Sequence, residues 1–385
     1  MRVVKGYKRL QKLAIITHNM SFGGVQRVVK NLIDSFCDKF QIALILFENK
    51  HIEYELPENI EILTLKEREF DYQNLIKQDK KIVTNFGEEL FRFRVDCLCE
   101  ILDFIKPHTV LSHEDYNNLI TAEALDRVDF HGKSIFVSHV FMENYRDKLI
   151  HLLDFEFYKR WIKQHYKNRK IVAVSRGVSK DLQDLGIEST IIENGVNIKE
   201  VTKKSKTESI PNSCYILCIG RIEFAQKGQD DLLRAYARIK DEISHTLLFV
   251  GEGKDSDKLK NLVTELNLND KVEMLGFQKN PFVFMKNATM VIFPSYYEGL
   301  PNTILEALAL GIPILSYDFE PSSLELSDDG VYFELVKKGD IESLSNKIKE
   351  ILNNKERLEN LSKLSKARAA SYSLQKMIKK WESIL

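Results

Sequence analysis

Short apolar runs alternate along this chain with longer stretches of helical periodicity. Leu13–Thr17 is the first run, and Gly23-Gly24 and the amphipathic stretch Val25–Lys39 follow it. Gln41–Phe47 predicts the next strand; a helix over Glu89–Lys106 is closed by Pro107 before strand His108–Ser112. Ser134–Ser138, Lys170–Val174 and Thr190–Ile192 continue the series. Apolar strands alternating with helices predict a parallel sheet covered on both faces.

The rhythm breaks at Lys199–Asn212, a polar stretch with linker composition, and then restarts. Strands are predicted at Tyr215–Gly220, Thr246–Val250, Val272–Leu275, Met290–Phe293 and Pro313–Ser316. Ile341–Leu385 reads as helical throughout. The fold class expected is therefore α/β, with two Rossmann-like doubly wound domains facing a cleft. Ligands in such sheets bind at the carboxyl ends of the strands.

Composition narrows the class without changing it. The 385 residues are 44% hydrophobic and 29% charged, enough for two cores, and the formal net charge is zero. A nucleic-acid partner held by overall charge is thereby disfavoured. The five cysteines are odd in number, which argues against a disulfide framework and for a reducing compartment. Cys214 and Cys218 fall on one face of an apolar strand and are expected to be buried thiols. The basic first dozen residues lead into no apolar signal region, and no run has membrane-spanning length, so a cytoplasmic location is expected.

The most informative chemistry lies in Phe293–Pro313. A strand ends at Phe293, a turn runs through Gly299, and a helix opens near Pro301. The amides of Gly299, Leu300, Pro301's neighbour Asn302 and the first helical turn then form an anion-friendly end. Glu298 precedes it and Glu306 lies further along the helix, where both carboxylates can face one cleft. In Gly220–Gly228, Arg221 and Lys227 leave a single loop after a strand; two cations there suit a doubly charged leaving group. Gly23 and Gly24 allow close backbone approach to a phosphate or sugar. Gly251-Glu-Gly253 resembles part of a dinucleotide fingerprint, but Ser256 stands where the third glycine would be, which argues against a nicotinamide cofactor. His139 ends a strand and can hydrogen-bond a substrate. His113 and Glu114 end another and are acceptor-contact candidates. The aromatic, basic segment Phe155–Lys170, with the basic N-terminus, suits either an anionic bilayer surface or a packed helix with a solvated face.

Together these residues resemble the family 4 retaining glycosyltransferases of the GT-B fold. The resemblance rests on Glu298–Glu306 as Glu-x7-Glu, the loop Gly220–Gly228, the turn Gly251–Gly253, Leu275-Gly276-Phe277 and Asn194-Gly195-Val196, in family order. It implies that Arg221 and Lys227 neutralise the donor diphosphate, Glu298 contacts the transferred sugar and Glu306 binds ribose hydroxyls. Gly276, Phe277 and Gln278 would meet the base, Gly23 and Gly24 the donor, and His139 the reacting sugar. Asn194 would lie at the domain crossing, as a further acceptor candidate. The implied domains are an acceptor domain at 1–198, a donor domain at 199–372 and a last helix, 373–385, returning to the first. One departure stands out: many members have an acid where Gln26 follows Gly23-Gly24-Val25, which bears on the sugar and acceptor contacts.

Breaking a glycosyl phosphate bond leaves positive charge on the sugar and negative charge on the diphosphate. Arg221, Lys227 and helix amides can stabilise the leaving group, so no metal and no other cofactor is expected. Same-face attack, with the departing phosphate taking the acceptor proton, retains configuration without an enzymic nucleophile. The expected partners are a nucleotide-diphosphate sugar, by resemblance a UDP-sugar, and a glycan or lipid-linked acceptor. Peripheral contact with an anionic inner membrane is compatible with this reading. The competing readings are a nucleotide-sugar 2-epimerase of the same architecture, a non-enzymatic sugar-nucleotide-binding protein, and a two-carboxylate glycosidase, which has no need of Arg221 and Lys227.

Overall fold

The computed structural model describes residues 10–48, 52–66, 80–140, 155–206, 214–319 and 321–385. The chain divides into two compact units. One comprises Met1–Val174, Val178–Ile192 and Lys380–Leu385; the other comprises Ser175–Gly177 and Glu193–Lys379.

The first unit holds seven parallel strands: β1 (Lys12–Thr17), β2 (Gln41–Leu46), β3 (Glu61–Thr64), β4 (Thr109–His113), β5 (Lys133–Ser138), β6 (Lys170–Ala173) and β7 (Thr190–Ile191). Their order is β3-β2-β1-β4-β5-β6-β7. The chain winds outward to β3, then starts again beside β1, so the order reverses between β1 and β4. Leu13 pairs with Thr109 and Ile16 with Ser112 across that boundary. Leu13, Ala14, Ile15 and Ile16 are all fully buried, as are Val110 and Leu111. This explains the unbroken apolar runs: both faces of these central strands are covered.

The second unit repeats the plan with β8 (Tyr215–Ile219), β9 (Thr246–Val250), β10 (Val272–Met274), β11 (Met290–Phe293), β12 (Ile314–Tyr317) and β13 (Glu334–Val336). The order is β10-β9-β8-β11-β12-β13, again all parallel, and it reverses between β8 and β11. Ile216, Cys218, Leu247, Phe249, Ile292 and Leu315 form its core with Leu232, Leu233 and Tyr236 of helix Gln229–Ile239. That helix and Ile341–Leu352 cover the same side of the sheet, through Leu344 and Ile348.

Several expectations are corrected. The edge strands β3 and β13 went unrecognised, because Glu61–Thr64 and Glu334–Val336 are short, charged and only partly buried. The helix expected over Glu89–Lys106 spans Lys80–Ile105. The linker expected at Lys199–Asn212 opens instead with helix Ile198–Lys204. Asn197 accepts the amide of Glu200 at 3.2 Å and its own amide reaches the Glu200 carboxylate, a reciprocal N-terminal cap hidden inside linker-like composition. Residues 207–212 of that stretch lie outside the described residues. The C-terminal region is not continuously helical: Ser373 is extended and bridges Val196, whose amide donates to Tyr372 O at 2.8 Å. Cys214 is exposed, since it precedes β8 rather than lying within it, whereas Cys218 is buried and its thiol is pushed up to about 12 by burial. All five cysteines are free. The basic N-terminal residues Arg2, Lys5, Lys8 and Arg9 lie outside the described residues, as does part of Phe155–Lys170 at the side-chain level. No described helix is long and apolar enough to cross a membrane.

Candidate active site

In the second unit the chemistry gathers where the strand order reverses. Three loops leave the carboxyl ends of β8, β9 and β10 and are tied edge to edge: Gly220 donates to Val250 O at 3.0 Å and Gly251 to Gly276 O at 2.8 Å. Gly251 has φ +133, and a Cβ there would stand 2.0 Å from the Gly220 carbonyl oxygen. Its glycine is therefore required by backbone packing, which accounts for the partial dinucleotide fingerprint without any dinucleotide.

The loop after β8 is short and helical at Phe224–Lys227. It closes at Gly228 in the left-handed region, where a Cβ would meet Pro294 O at 2.2 Å. This close approach seats the β8 loop against the β11 loop, and the Tyr296 amide donates to Gln226 O at 2.8 Å. Lys227 is thereby delivered to Glu298: its Nζ pairs with Oε1, and the Ser295 hydroxyl donates to the same oxygen at 3.0 Å. Both side chains are mostly buried, at 22% and 12% exposure. A small pocket opens here, lined by Lys227, Ser295, Glu298, Pro301 and Thr303 with Cys218, Ile219, Gln229, Ile292, Phe293 and Pro294. Arg221 stands apart from this pair. Its Nε lies 3.1 Å from Glu223 and its guanidinium donates to Gln226 Oε1 at 3.2 Å, with the side chain 57% exposed.

Helix Asn302–Leu310 follows, with Pro301 in extended conformation at its N-cap. The Ile304 amide donates to Pro301 O at 3.2 Å, which closes the first turn. The preceding carbonyls are spoken for: Ser322 Oγ donates to Gly299 O, and Asn194 Nδ2 to Leu300 O at 2.9 Å. Asn194 is 4% exposed, and Leu300 is buried. Glu306 is buried at 9% exposure on the same helix. Beyond β10, Gly276 takes φ +64, the Phe277 amide donates to Glu252 at 3.2 Å, Phe277 is half exposed and Gln278 returns to Leu275 O. Gly253 packs against the backbone of Ile222.

Sequence reasoning missed the residues that brace this site. Asp231 accepts the hydroxyls of Tyr296 at 2.6 Å and Tyr317 at 3.1 Å; burial, then the Asp231 charge, raises both phenols above their ordinary range. Glu223 takes Arg221 and Lys254 together. Asp231 is the third residue of helix Gln229–Ile239, where an acid is ordinary.

The first unit holds a different kind of cluster. Gly23 caps helix Gly24–Phe36 in extended conformation, and the Tyr54 hydroxyl donates to its carbonyl at 3.1 Å. A Cβ at Gly23 would fall 2.3 Å from Gln26 Oε1, so the residue in the acid's place folds back over the glycine. At the ends of β4 and β5, His113 Nδ1 lies 2.9 Å from His139 Nε2. Asp115 accepts Tyr166 OH at 2.6 Å and Ser138 Oγ at 3.0 Å. All are buried: His113 at 0%, His139 at 6%, Asp115 at 0%. Burial lowers His139 to about 3 and His113 well below the usual imidazole range, and it raises Asp115 to about 7. Glu114, between them, has φ +74 and ψ 133.

Against known proteins, residues 200–368 match the family described as Glycosyl transferases group 1. Over 96% of this chain and 97% of the relative, the sequence is 27% identical to N-acetylgalactosamine-N,N'-diacetylbacillosaminyl-diphospho-undecaprenol 4-alpha-N-acetylgalactosaminyltransferase of Campylobacter jejuni. It is 29% identical to lipopolysaccharide 1,6-galactosyltransferase of Salmonella typhimurium over 47% of this chain and 52% of that protein. The fold matches that of Anabaena Alr3699/HepE, solved in complex with UDP and glucose. The TM-score is 0.76 over 97% of this chain and 98% of that one, at 16% identity.

Proposed function

We propose a retaining, metal-independent transfer from a nucleotide-diphosphate sugar to a lipid-linked glycan, since residues 200–368 match the family described as Glycosyl transferases group 1 and the chain has the GT-B fold. The observation that carries this reading is the placement of Lys227 with Glu298 on the pocket at the β8/β11 reversal. Crevices of this type receive ligands in doubly wound sheets.

The unit built on β8 to β13 takes the donor. Lys227, Arg221 and the first amides of helix Asn302–Leu310 draw the diphosphate in and stabilise the charge it gains on leaving. The ammonium has three donors, so it can hold Glu298 and a phosphate oxygen together. Glu298, anchored by Ser295 and Lys227, then meets a hydroxyl of the transferred sugar. Glu306 binds the ribose and the Gly276–Gln278 backbone the base. The departing phosphate takes the acceptor proton, so retention requires no covalent sugar on the protein. The unit built on β1 to β7 takes the acceptor and contributes His139 to the transferred sugar. UDP bound to a structural neighbour, and a diphospho-undecaprenol acceptor in the name of a full-length relative, support a UDP-sugar and a polyprenyl-diphosphate glycan here. The acceptor chemistry brings the protein to the membrane surface as a peripheral enzyme.

The purified protein should release UDP from a UDP-N-acetylhexosamine or UDP-hexose in the presence of undecaprenyl-diphosphate glycans, with undiminished rate in excess chelator. The product's anomeric linkage should match that of the donor. An epimerised nucleotide sugar formed without acceptor, or loss of activity in chelator, would overturn the proposal.

A further inference from the structure

The carboxyl ends of β4 and β5 are joined by more than their ladder. The triplet His113-Glu114-Asp115 and the pair Ser138-His139 meet twice: ring to ring between His113 and His139, and hydroxyl to carboxylate between Ser138 and Asp115. His113 ends β4 and Asp115 opens helix Asp115–Arg127, and across the turn at Glu114 each reaches one of two neighbouring residues at the end of β5. The grip is stiffened from behind. Tyr166 donates to Asp115, Asn118 donates to Tyr166 at 2.8 Å, and Asn117 donates to His113 O at 2.9 Å. Between the two gripping residues Glu114 sits at positive φ, with its amide held on Val137 O at 3.1 Å. A backbone region that non-glycine residues avoid persists only where its surroundings over-determine it, and it clusters at functional sites.

A nitrogen-to-nitrogen contact of 2.9 Å needs one N–H and one lone pair. Two doubly protonated rings cannot form it. His139 has therefore spent Nε2 on His113, and Nδ1 is the ring nitrogen left for a ligand. His113, fully buried, reaches no ligand itself, and its own Nε2 has no partner among the described residues.

We propose that His113 is a positioning residue: with Asp115 it holds His139 as a neutral imidazole in one tautomer, presenting Nδ1 to a hydroxyl of the transferred sugar. The inference rests on the reading above that places His139 at that sugar. It makes His139 a directional hydrogen-bonding group rather than an acid or a counter-charge. The depressed proton affinity of both rings agrees with this.

The test is a double-mutant cycle joined to nitrogen-15 NMR of the histidine rings. His113→Phe should lower kcat by about tenfold, the value of one well-placed hydrogen bond, with smaller change in KM for the sugar nucleotide. In a His139→Ala background the same change should cost no more than about twofold, because a residue acting through another shows no separate effect. His113→Asn, whose amide can occupy the place of Nδ1, should restore most of the rate, and His113→Gln, whose amide lies one bond further out, should not. In the spectra His139 should show a single neutral tautomer between pH 5 and 8 in the native protein and in His113→Asn. In His113→Phe or His113→Gln it should become mixed or titrate. Additive losses in the cycle, or an unchanged His139 tautomer in both of those variants, overturn the positioning role. A native rate in His139→Ala instead removes the sugar contact, and this inference falls with it.

Discussion

The two units share one architecture yet hold opposite kinds of polar site. In the second, Lys227 and Glu298 are paired charges at the rim of a pocket, mostly buried and anchored by loops that glycines bring together. In the first, His113, His139 and Asp115 are buried, and burial drives all three toward their neutral forms. On the function proposed above, the contrast follows from what each site would meet. A leaving diphosphate calls for fixed positive charge aimed at it, while a sugar hydroxyl calls for neutral hydrogen-bonding groups held in one orientation. The carboxyl ends of parallel strands supply both, and the residues that follow those strands set the difference.

The comparison can be broken most directly at Lys227. Lys227→Ala should lower transfer by about 10²–10³-fold in a steady-state assay, as expected for removing charge stabilisation at a leaving group, with the fold intact by circular dichroism. Turnover within a few-fold of native would show that the charged site is not where the diphosphate leaves. Next in size is Gly251→Ala, which drives a Cβ into the Gly220 carbonyl and should cost about 3 kcal/mol in urea unfolding. A neutral result would mean that the glycine serves ligand approach rather than loop packing.

Acid stability separates the neutral site from the charged one. His139 and His113 titrate below 6.5 in the fold, so the unfolded chain binds more protons as pH drops from that value, and their contribution to stability falls. Asp115 opposes this. Its carboxyl is raised from 3.8 to about 7, so the fold keeps a proton that the unfolded chain loses, and its contribution falls as pH rises toward 7. Asp115→Asn should therefore steepen the rise in stability from pH 4 to 6.5 by about 1.4 kcal/mol per pH unit, measured by urea midpoints across pH. An unchanged slope would place an ionised carboxylate in that buried network. The smallest effect is expected from Ser295→Ala, which removes one of two anchors on Glu298 and should reduce kcat by about threefold. A loss as large as that of Lys227→Ala would make the hydroxyl a direct ligand contact.

Much of this was readable before any coordinates. Buried parallel strands need apolar runs, so β1, β8, β9 and β11 were placed within a residue or two. Edge strands lack that requirement, and β3 and β13 left no trace. Glu298, Lys227 and Arg221 stood out because a basic loop and a Glu-x7-Glu segment follow two strands of the same half-chain in the order of the family they resemble. Asp231 did not, since a helix's first turn accepts an acid for reasons of its own.

By itself the sequence determined the repeated strand–helix plan, the pairing of cations with Glu-x7-Glu, and the absence of dinucleotide spacing, because these are properties of neighbouring residues. Only the tertiary structure decided that Gly251 and Gly228 exist to let backbones touch and that Cys214 lies outside the sheet. It also decided that His113 spends its ring on His139. Each of these depends on which distant segment arrives alongside, and a linear pattern carries no record of that approach.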